Sequence, residues 1–195
     1  MDCIKIGNLI ASLRKEKKLT QQNIADALNI SNKTVSKWEC GLGCPDVSLW
    51  NDLSIILGVD IAQMIQGEIT PNKADIGNIS NIRFYVCPQC YNILTSTGSA
   101  SIHCCGRKLE QLEVLDDMNK SNISYKVSDI DYYVTFDHEM SREHYILFVA
   151  HVYQDRISLI RLYPEQSPSV RLPYQNNGQL YLYCIKHGLH SYKIN

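Results

Sequence analysis

The stretch LTQQNIADALNISNKTVSKWECGLGCP, residues 19–45, predicts two short helices that meet at a tight corner. Thr20 and Ser31 each precede an amphipathic segment, and both residue types are favoured helix N-caps. Asn29 lies between the segments, and asparagine tolerates the left-handed backbone that such corners need. The residues expected to face inward are apolar and recur at helical spacing: Ile24, Ala25, Leu28, Val35 and Trp38.

The outward face of the second helix carries hydrogen-bonding and cationic groups, which can meet phosphates and base edges. They belong to Asn32, Lys33, Thr34, Ser36 and Lys37. An alternative is an amphipathic helical hairpin whose polar face is merely solvated. In residue type, turn and spacing, this stretch resembles the helix-turn-helix of the Cro/repressor (XRE) family, and the resemblance covers roughly the first 67 residues.

The resemblance implies a set of DNA-binding residues. The matching positions are Gln21, Gln22, Asn32, Lys33, Thr34 and Lys37. Asn32, Lys33 and Lys37 would read bases, since asparagine can pair with adenine and lysine can donate to guanine. Thr34 would contact the DNA backbone, and Gln21 would anchor a phosphate. The expected partner is a double-stranded DNA operator bound by a homodimer.

Further helical segments flank the corner. Apolar residues at helical spacing predict a first helix over about residues 4–17, which ends in a basic run. A fourth helix is predicted over residues 49–57, where Gly58 stops it, and Asp60 caps a fifth. The resemblance implies five helices around one core, in a helix-turn-helix domain over residues 1–67.

Composition restricts the class of protein. A chain of 195 residues with 45% hydrophobic residues fits folded domains. The net charge is −1, and residues 1–67 carry seven basic and seven acidic side chains, so only the local placement of lysines indicates nucleic acid. We find no membrane-length apolar run and no signal-peptide pattern, and we expect a cytoplasmic protein. In that reducing compartment, eight cysteines indicate metal rather than disulfides.

Two close cysteine pairs follow the helical region. Residues 68–82 have no sustained period and predict a linker, and residues 83–115 contain the pairs. Four thiolates on turn-rich backbone suit tetrahedral zinc or iron, although four buried cysteines without metal are an alternative. The pattern resembles desulforedoxin, which implies a small β-knuckle that holds zinc or iron. Its ligands would be Cys87, Cys90, Cys104 and Cys105.

From residue 123 onward the apolar period switches to two, with turn residues between short segments. Residues 116–195 therefore predict an antiparallel, immunoglobulin-like β-sandwich, which makes the chain a multidomain α plus β protein. The segment HEMSREHYI and a Cys-x2-His spacing resemble the superoxide reductase (desulfoferrodoxin) domain, where four imidazoles and one thiolate hold iron. The implied second site, for iron or zinc, comprises His138, His144, Cys184 and His187.

The sequence departs from that family at one ligand. There is no histidine between His103 and His138, where the family has another, and Glu139 stands in place of a proline. Three nitrogens and a sulfur still suffice for tetrahedral zinc, or for iron with an open position. His151 or His190 could complete a rearranged site. The remaining alternative is a metal-free fold in which the histidines and the cysteine only pack against their neighbours.

These patterns favour a sequence-specific DNA-binding transcriptional regulator with a metal-binding module that senses redox state. We assign no catalytic residue. A competing hypothesis is a superoxide reductase-type iron enzyme that carries its own DNA-binding domain, and a third is that both metal modules only hold a dimer together. Cys40 and Cys44 are near enough in sequence for a redox pair, but we expect ordinary reduced thiols there.

Overall fold

The chain forms two compact units, which cover residues 1–71 and 72–195. A computed structural model describes residues 1–75, 77–115, 123–128, 130–175 and 177–194. Among the helices in these ranges, none is long and apolar enough to cross a membrane.

The first unit, which we call the helical unit, is built from short helices that begin at capping residues. The helices are α1 (Cys3–Glu16), α2 (Gln21–Ala27), α3 (Asn32–Glu39), α4 (Trp50–Leu57) and α5 (Ile61–Gln66). A 3-10 turn, Val47–Leu49, precedes α4. The hydroxyls of Thr20 and Ser31 accept hydrogen bonds from backbone N–H groups three residues later, and Gly58 ends α4 with a φ of 66°. These boundaries follow the predicted local signals.

One apolar core joins the five helices. Its buried members include Ile6, Ile10, Ile24, Val35, Trp38, Trp50, Leu53 and Met64. At Gly7, α1 approaches α3 so closely that an added Cβ would lie 1.9 Å from the Trp38 carbonyl oxygen. Only glycine allows this approach, and it fixes the end of α3 against α1.

The expectation that all thiols of this unit are reduced is wrong for one cysteine pair. Cys3 and Cys44 form a disulfide, with Cα atoms 5.0 Å apart. Cys40, which lies nearer to Cys44 in sequence, is exposed and free, as expected. The disulfide depends on the approach of the first turn of α1 to the loop after α3, and sequence spacing does not reveal that contact.

The second unit is built from β-strands. In chain order they are β1 (Arg83–Val86), β2 (Ile93–Ser96), β3 (Ile102–Cys104), β4 (Arg107–Leu109), β5 (Val114–Leu115), β6 (Ile123–Ser128), β7 (Asp131–Phe136), β8 (Ile146–Tyr153), β9 (Arg156–Arg161), β10 (Ser169–Pro173), β11 (Gly178–Cys184) and β12 (Gly188–Ile194). A 3-10 turn, Ile79–Asn81, precedes β1. Strands β1 and β2 form one antiparallel hairpin, and β3 and β4 form another.

The later strands form the predicted sandwich. A three-stranded sheet has the order β10-β7-β6, and a five-stranded sheet has the order β5-β12-β11-β8-β9. Neighbouring strands are antiparallel, except that β5 runs parallel to β12. Tyr132 and Leu172 from the first sheet and Leu180 and Leu182 from the second are buried in one core. The sequence pattern did not predict β5 and β12, because β5 is very short and β12 carries polar residues such as the buried His190.

The interior strand β8 is buried at every position, because the five-stranded sheet is covered on both faces. Tyr132 of the opposite sheet contacts the His151 ring on one face. On the other face, the ring of Phe84 in β1 lies 5.3 Å from that of Phe148 and 5.1 Å from that of Tyr181. A strand covered on both faces needs the continuous apolar run that β8 has. The β1–β2 hairpin therefore packs against the sandwich.

Candidate DNA-reading helix and metal centres

Helix α3 presents the predicted DNA-reading residues on its outer side. Lys33 and Lys37 are exposed, and Asn32 and Thr34 are half-buried. The two lysines are four residues apart and so share one face of the helix. At the first turn, the Thr34 hydroxyl lies 2.9 Å from that of Ser31. This polar helix end has the chemistry needed to contact a DNA groove.

The two glutamines at the start of α2 have acidic partners. Gln21 Nε2 donates to Glu39 Oε2 at 2.8 Å, and Gln22 Nε2 donates to Asp26 Oδ1 at 2.6 Å. Each amide nitrogen has two hydrogens, so one remains for another acceptor. The predicted phosphate contact of Gln21 would use that hydrogen or the backbone N–H groups at the start of α2.

Glu39 also forms an ion pair that sequence reasoning missed. Arg14 donates through Nε to Glu39 Oε1 at 2.6 Å and through a second guanidinium nitrogen to Oε2 at 3.0 Å. Only 14% of the arginine and 8% of the glutamate side chain is exposed. Burial alone would raise the pKa of Glu39, but hydrogen bonds from Arg14 and Gln21 outweigh it and lower that pKa. This network joins α1, α2 and α3, and so positions α3.

The predicted knuckle cysteines converge at the ends of two hairpin turns, and we call them the four-cysteine cluster. They are Cys87, Cys90, Cys104 and Cys105, and their Sγ atoms all lie within 4.8 Å of one another. The Sγ–Sγ distance is 3.5 Å from Cys90 to Cys104 and 4.0 Å from Cys104 to Cys105. With Zn–S bonds near 2.3 Å, the edges of a tetrahedral site measure roughly 3.8 Å. The spacing of the four-cysteine cluster therefore fits a four-coordinate metal.

Unusual backbone at both turns directs the thiols inward. Tyr91 and Cys105 have φ angles of 53° and 50°, a region that residues other than glycine seldom occupy. The Tyr91 N–H donates to the Cys87 carbonyl at 2.9 Å and closes the first turn. Such conformations concentrate at functional sites, where surrounding structure maintains them.

The electrostatics of the four-cysteine cluster also fit a cation. Backbone N–H groups, that of Cys90 above all, lower the Cys87 pKa to about 6. Hydrogen bonds with the neighbouring thiols raise the Cys105 pKa to about 12, and Cys90 likewise raises the pKa of Cys104. The Cys87 thiolate therefore forms readily, while Cys104 and Cys105 resist ionisation. A divalent ion would supply the charge that allows all four to ionise.

The four predicted ligands of the second cluster also meet, and we call this the histidine–cysteine cluster. His138 and His144 lie between β7 and β8, Cys184 ends β11, and His187 lies in the turn before β12. His138 Nε2 is 3.2 Å from Cys184 Sγ, and His144 Nε2 is 3.4 Å from His187 Nδ1. Metal–nitrogen bonds of 2.0–2.1 Å give tetrahedral N–N edges of roughly 3.3–3.4 Å. The nitrogen spacing therefore fits a metal ion.

The protonation of these groups also suits ligation. Burial is the main cause that lowers the pKa of His138, and burial is also the main cause that lowers the pKa of His187. Both imidazoles are therefore biased towards the neutral form that binds metal. The backbone N–H of Lys186 donates to Cys184 Sγ at 3.4 Å.

Neither histidine suggested for a rearranged site lies in this cluster. The His190 ring nitrogens each lie 3.0 Å from a backbone oxygen, of Leu115 and of His187. His151 is buried in the sandwich core, where the described residues offer neither ring nitrogen a hydrogen-bond partner. Gly178 packs so closely that a Cβ there would lie 1.9 Å from His151 Nε2. The register of the strands determines where His151 and His190 lie. The alternation of apolar and polar residues in the sequence does not determine that register.

Comparison with known proteins places a helix-turn-helix domain at the start of the chain, because residues 10–64 match the helix-turn-helix family model. The chain is 34% identical over 80 residues to the HTH-type transcriptional activator BcrR of Enterococcus faecalis. The matched segment covers 41% of this chain and 39% of that protein. It is 42% identical over 55 residues to the uncharacterized HTH-type transcriptional regulator YqaE of Bacillus subtilis. That matched segment covers 28% of this chain and 47% of that protein. The chain thus spans less than half the length of these relatives.

Among solved structures, the chain is similar to the superoxide reductase from Treponema pallidum. The TM-score is 0.48 and the identity 20%, over 57% of this chain and 97% of that one. For the superoxide reductase from Giardia intestinalis, the TM-score is 0.33 and the identity 13%, over 37% of this chain and 94% of that one.

Proposed function

We propose that this protein is a sequence-specific, DNA-binding transcriptional regulator whose second unit binds metal. The observation that carries the proposal is the exposed face of α3 formed by Lys33 and Lys37, inside a segment that matches the helix-turn-helix family. Similarity of that segment to two HTH-type regulators supports it. Such a regulator would act in the cytoplasm, and a homodimer would place two α3 helices on a two-fold operator.

Band-shift titrations on the protein's own promoter test the DNA-reading face. Lys33→Ala and Lys37→Ala each remove one cation from α3 and should weaken operator binding by about tenfold, as expected for one lost base or phosphate contact. Lys73→Ala removes the same charge from an exposed position outside the helical unit and is the matched control. Equal affinities for the wild type and both α3 variants would refute the assignment.

The four-cysteine and histidine–cysteine clusters are the proposed metal centres. Four thiolates suit zinc or iron, and three imidazoles with one thiolate suit iron or zinc. Zinc would supply a structural cross-link, and iron would supply a redox-active centre. Anaerobic purification with metal quantification and a visible spectrum identifies the metals. Cys90→Ser and His187→Ala each remove a ligand from one cluster, and unchanged metal content in both variants would refute the assignment.

We further propose that the metal state of the second unit regulates operator binding. Loss, exchange or oxidation of a metal can change DNA affinity only if the two states differ in dimer geometry or stability. Band shifts and analytical ultracentrifugation on metal-loaded and metal-stripped protein test this link. Identical affinity and assembly in both states would refute regulation and leave DNA reading intact.

A second candidate function is superoxide reduction at the histidine–cysteine cluster. It rests on the convergence of three imidazoles with one thiol. This enzyme would carry its own DNA-binding domain, would hold iron at that cluster and would show an iron–thiolate absorption band after oxidation. Superoxide should then oxidise the ferrous protein rapidly. A colourless, zinc-loaded preparation would exclude this function in favour of a regulator alone.

A further inference from the structure

Glu139 contacts two of the four groups in the histidine–cysteine cluster. Its carboxylate Oε2 lies 3.0 Å from His144 Nδ1, and its backbone carbonyl oxygen contacts His138 Nδ1. The other nitrogen of each ring faces the cluster, where His138 Nε2 is 3.2 Å from Cys184 Sγ and His144 Nε2 is 3.4 Å from His187 Nδ1. One residue therefore engages the outward nitrogen of both rings.

These contacts decide which ring nitrogen carries the hydrogen. A neutral imidazole has one N–H, and carboxylate and carbonyl oxygens only accept hydrogen bonds. The hydrogen must therefore be on Nδ1 of His138 and of His144. Each Nε2 is then left with the lone pair that a metal ion needs, aimed at the centre of the cluster.

The side chain of Glu139 also adds a negative charge behind His144. That side chain is 63% exposed, whereas only 15% of the His144 side chain is exposed. An anionic acceptor makes the imidazole a stronger metal ligand and offsets part of the charge of a divalent ion. The resemblance to superoxide reductases implies a proline at this position, and proline offers no side-chain acceptor.

We propose that Glu139 is a positioning residue of the second metal centre, which fixes the His144 tautomer and increases affinity for a divalent metal ion. The inference rests on the metal-binding function proposed for the histidine–cysteine cluster. Glu139 does not itself act as a ligand here, since its carboxylate lies on the outward side of the His144 ring.

Zinc titration of the metal-free full-length protein tests the proposal, followed by long-range 1H–15N spectra of the histidine side chains. These spectra distinguish Nδ1–H from Nε2–H. The signals of His138, His144 and His187 report this centre, because none of these imidazoles belongs to the four-cysteine cluster. Glu139→Ala removes the acceptor, and Glu139→Gln keeps a carbonyl oxygen without the charge. Glu143→Ala removes a neighbouring exposed carboxylate and is the matched control.

We expect the Nδ1–H tautomer at His144 in the wild type and in Glu143→Ala, with equal zinc affinity. Glu139→Ala should populate Nε2–H and bind zinc about 10–100-fold more weakly, the usual effect of losing such a partner. Glu139→Gln should keep the tautomer and show an intermediate affinity. This last variant separates the hydrogen bond from the charge.

Two failures are distinguishable. If zinc shifts the wild-type imidazoles and Glu139→Ala retains both the tautomer and the affinity, the positioning role alone is overturned. If zinc leaves the wild-type imidazoles unchanged, the metal-binding function of this centre fails, and the inference fails with it.

Discussion

Opening the disulfide between Cys3 and Cys44 should remove much of the stability of the helical unit. The bond joins residues 41 positions apart in sequence. For a closed loop of about 40 residues, the chain-entropy relation gives about 4 kcal/mol at 25 °C. Folded domains have about 0.05–0.15 kcal/mol of stability per residue, which limits this unit of residues 1–71 to roughly 4–11 kcal/mol. The reduced helical unit is therefore expected to be marginally stable.

Tryptophan fluorescence measures this effect in the helical unit alone, because the chain has two tryptophans and both, Trp38 and Trp50, are buried there. Urea unfolding of the oxidised wild type should give an unfolding free energy about 4 kcal/mol above that of Cys44→Ser. Reductant should abolish this difference and leave Cys44→Ser unchanged. Cys40→Ser removes an exposed free thiol and should keep the full reductant effect.

Two results would contradict this reasoning. One is a reductant effect on the oxidised wild type below about 1 kcal/mol, far under the loop-closure value. The other is a reductant effect of equal size in Cys44→Ser, which would assign the effect to other cysteines. Thiol titration in denaturant gives an independent check, since the oxidised chain should show two fewer thiols than the eight in its sequence.

Three further perturbations test the ion pair, the buried imidazole and the metal centres. Glu39→Ala leaves Arg14 without its partner and should lower the unfolding free energy of the helical unit by about 3 kcal/mol, measured by tryptophan fluorescence in urea; a neutral effect would refute the ion pair. Because the pKa of Glu39 is lowered on folding, stability should fall as pH decreases below about 4.3, and Glu39→Gln should flatten that fall. Burial lowers the pKa of His151, so the unfolded chain binds more protons and stability of the second unit should fall below about pH 6.5. His151→Leu should weaken this dependence, although the lowered pKa values of His138 and His187 retain part of it, and should add about 1–3 kcal/mol in mild acid, measured by circular dichroism; an unchanged pH profile would contradict it. Chelation should lower the melting temperature of the second unit and leave the tryptophan transition unaltered, whereas a shift in both would show that the units do not unfold independently.

Features set by local chemistry were predictable from the sequence. Thr20 and Ser31 cap their helices because a hydroxyl before an amphipathic segment satisfies backbone N–H groups wherever the helix lies in the fold. The two cysteine pairs of the knuckle were also predictable, because the spacing of cysteines on a turn can be read directly from the sequence. The predicted ligands His138 and His144 were placed by resemblance rather than by spacing alone, and the structure brings them together.

Features that depend on tertiary contact were not predictable. Arg14 and Glu39 are 25 residues apart, and nothing in either local pattern marks them as partners. Cys3 meets Cys44 only because α1 packs against α3 through Gly7. Resolving such pairs from sequence requires knowledge of helix packing, which hydrophobic periodicity limits but does not determine.

Both proposed metal centres are attached to one core within the second unit. Val86, at the end of β1, and Cys184, at the end of β11, belong to the same buried cluster, and Cys87 follows Val86 directly. In addition, Arg161 of β9 donates to the Tyr91 carbonyl in the knuckle turn at 3.0 Å. A change of ligation at either centre therefore reaches the same packed side chains. The helical unit has a core of its own, and buried residues of α3 belong to it. We therefore expect the proposed metal-dependent control of DNA binding to change how two subunits pair. We do not expect it to change the shape of α3.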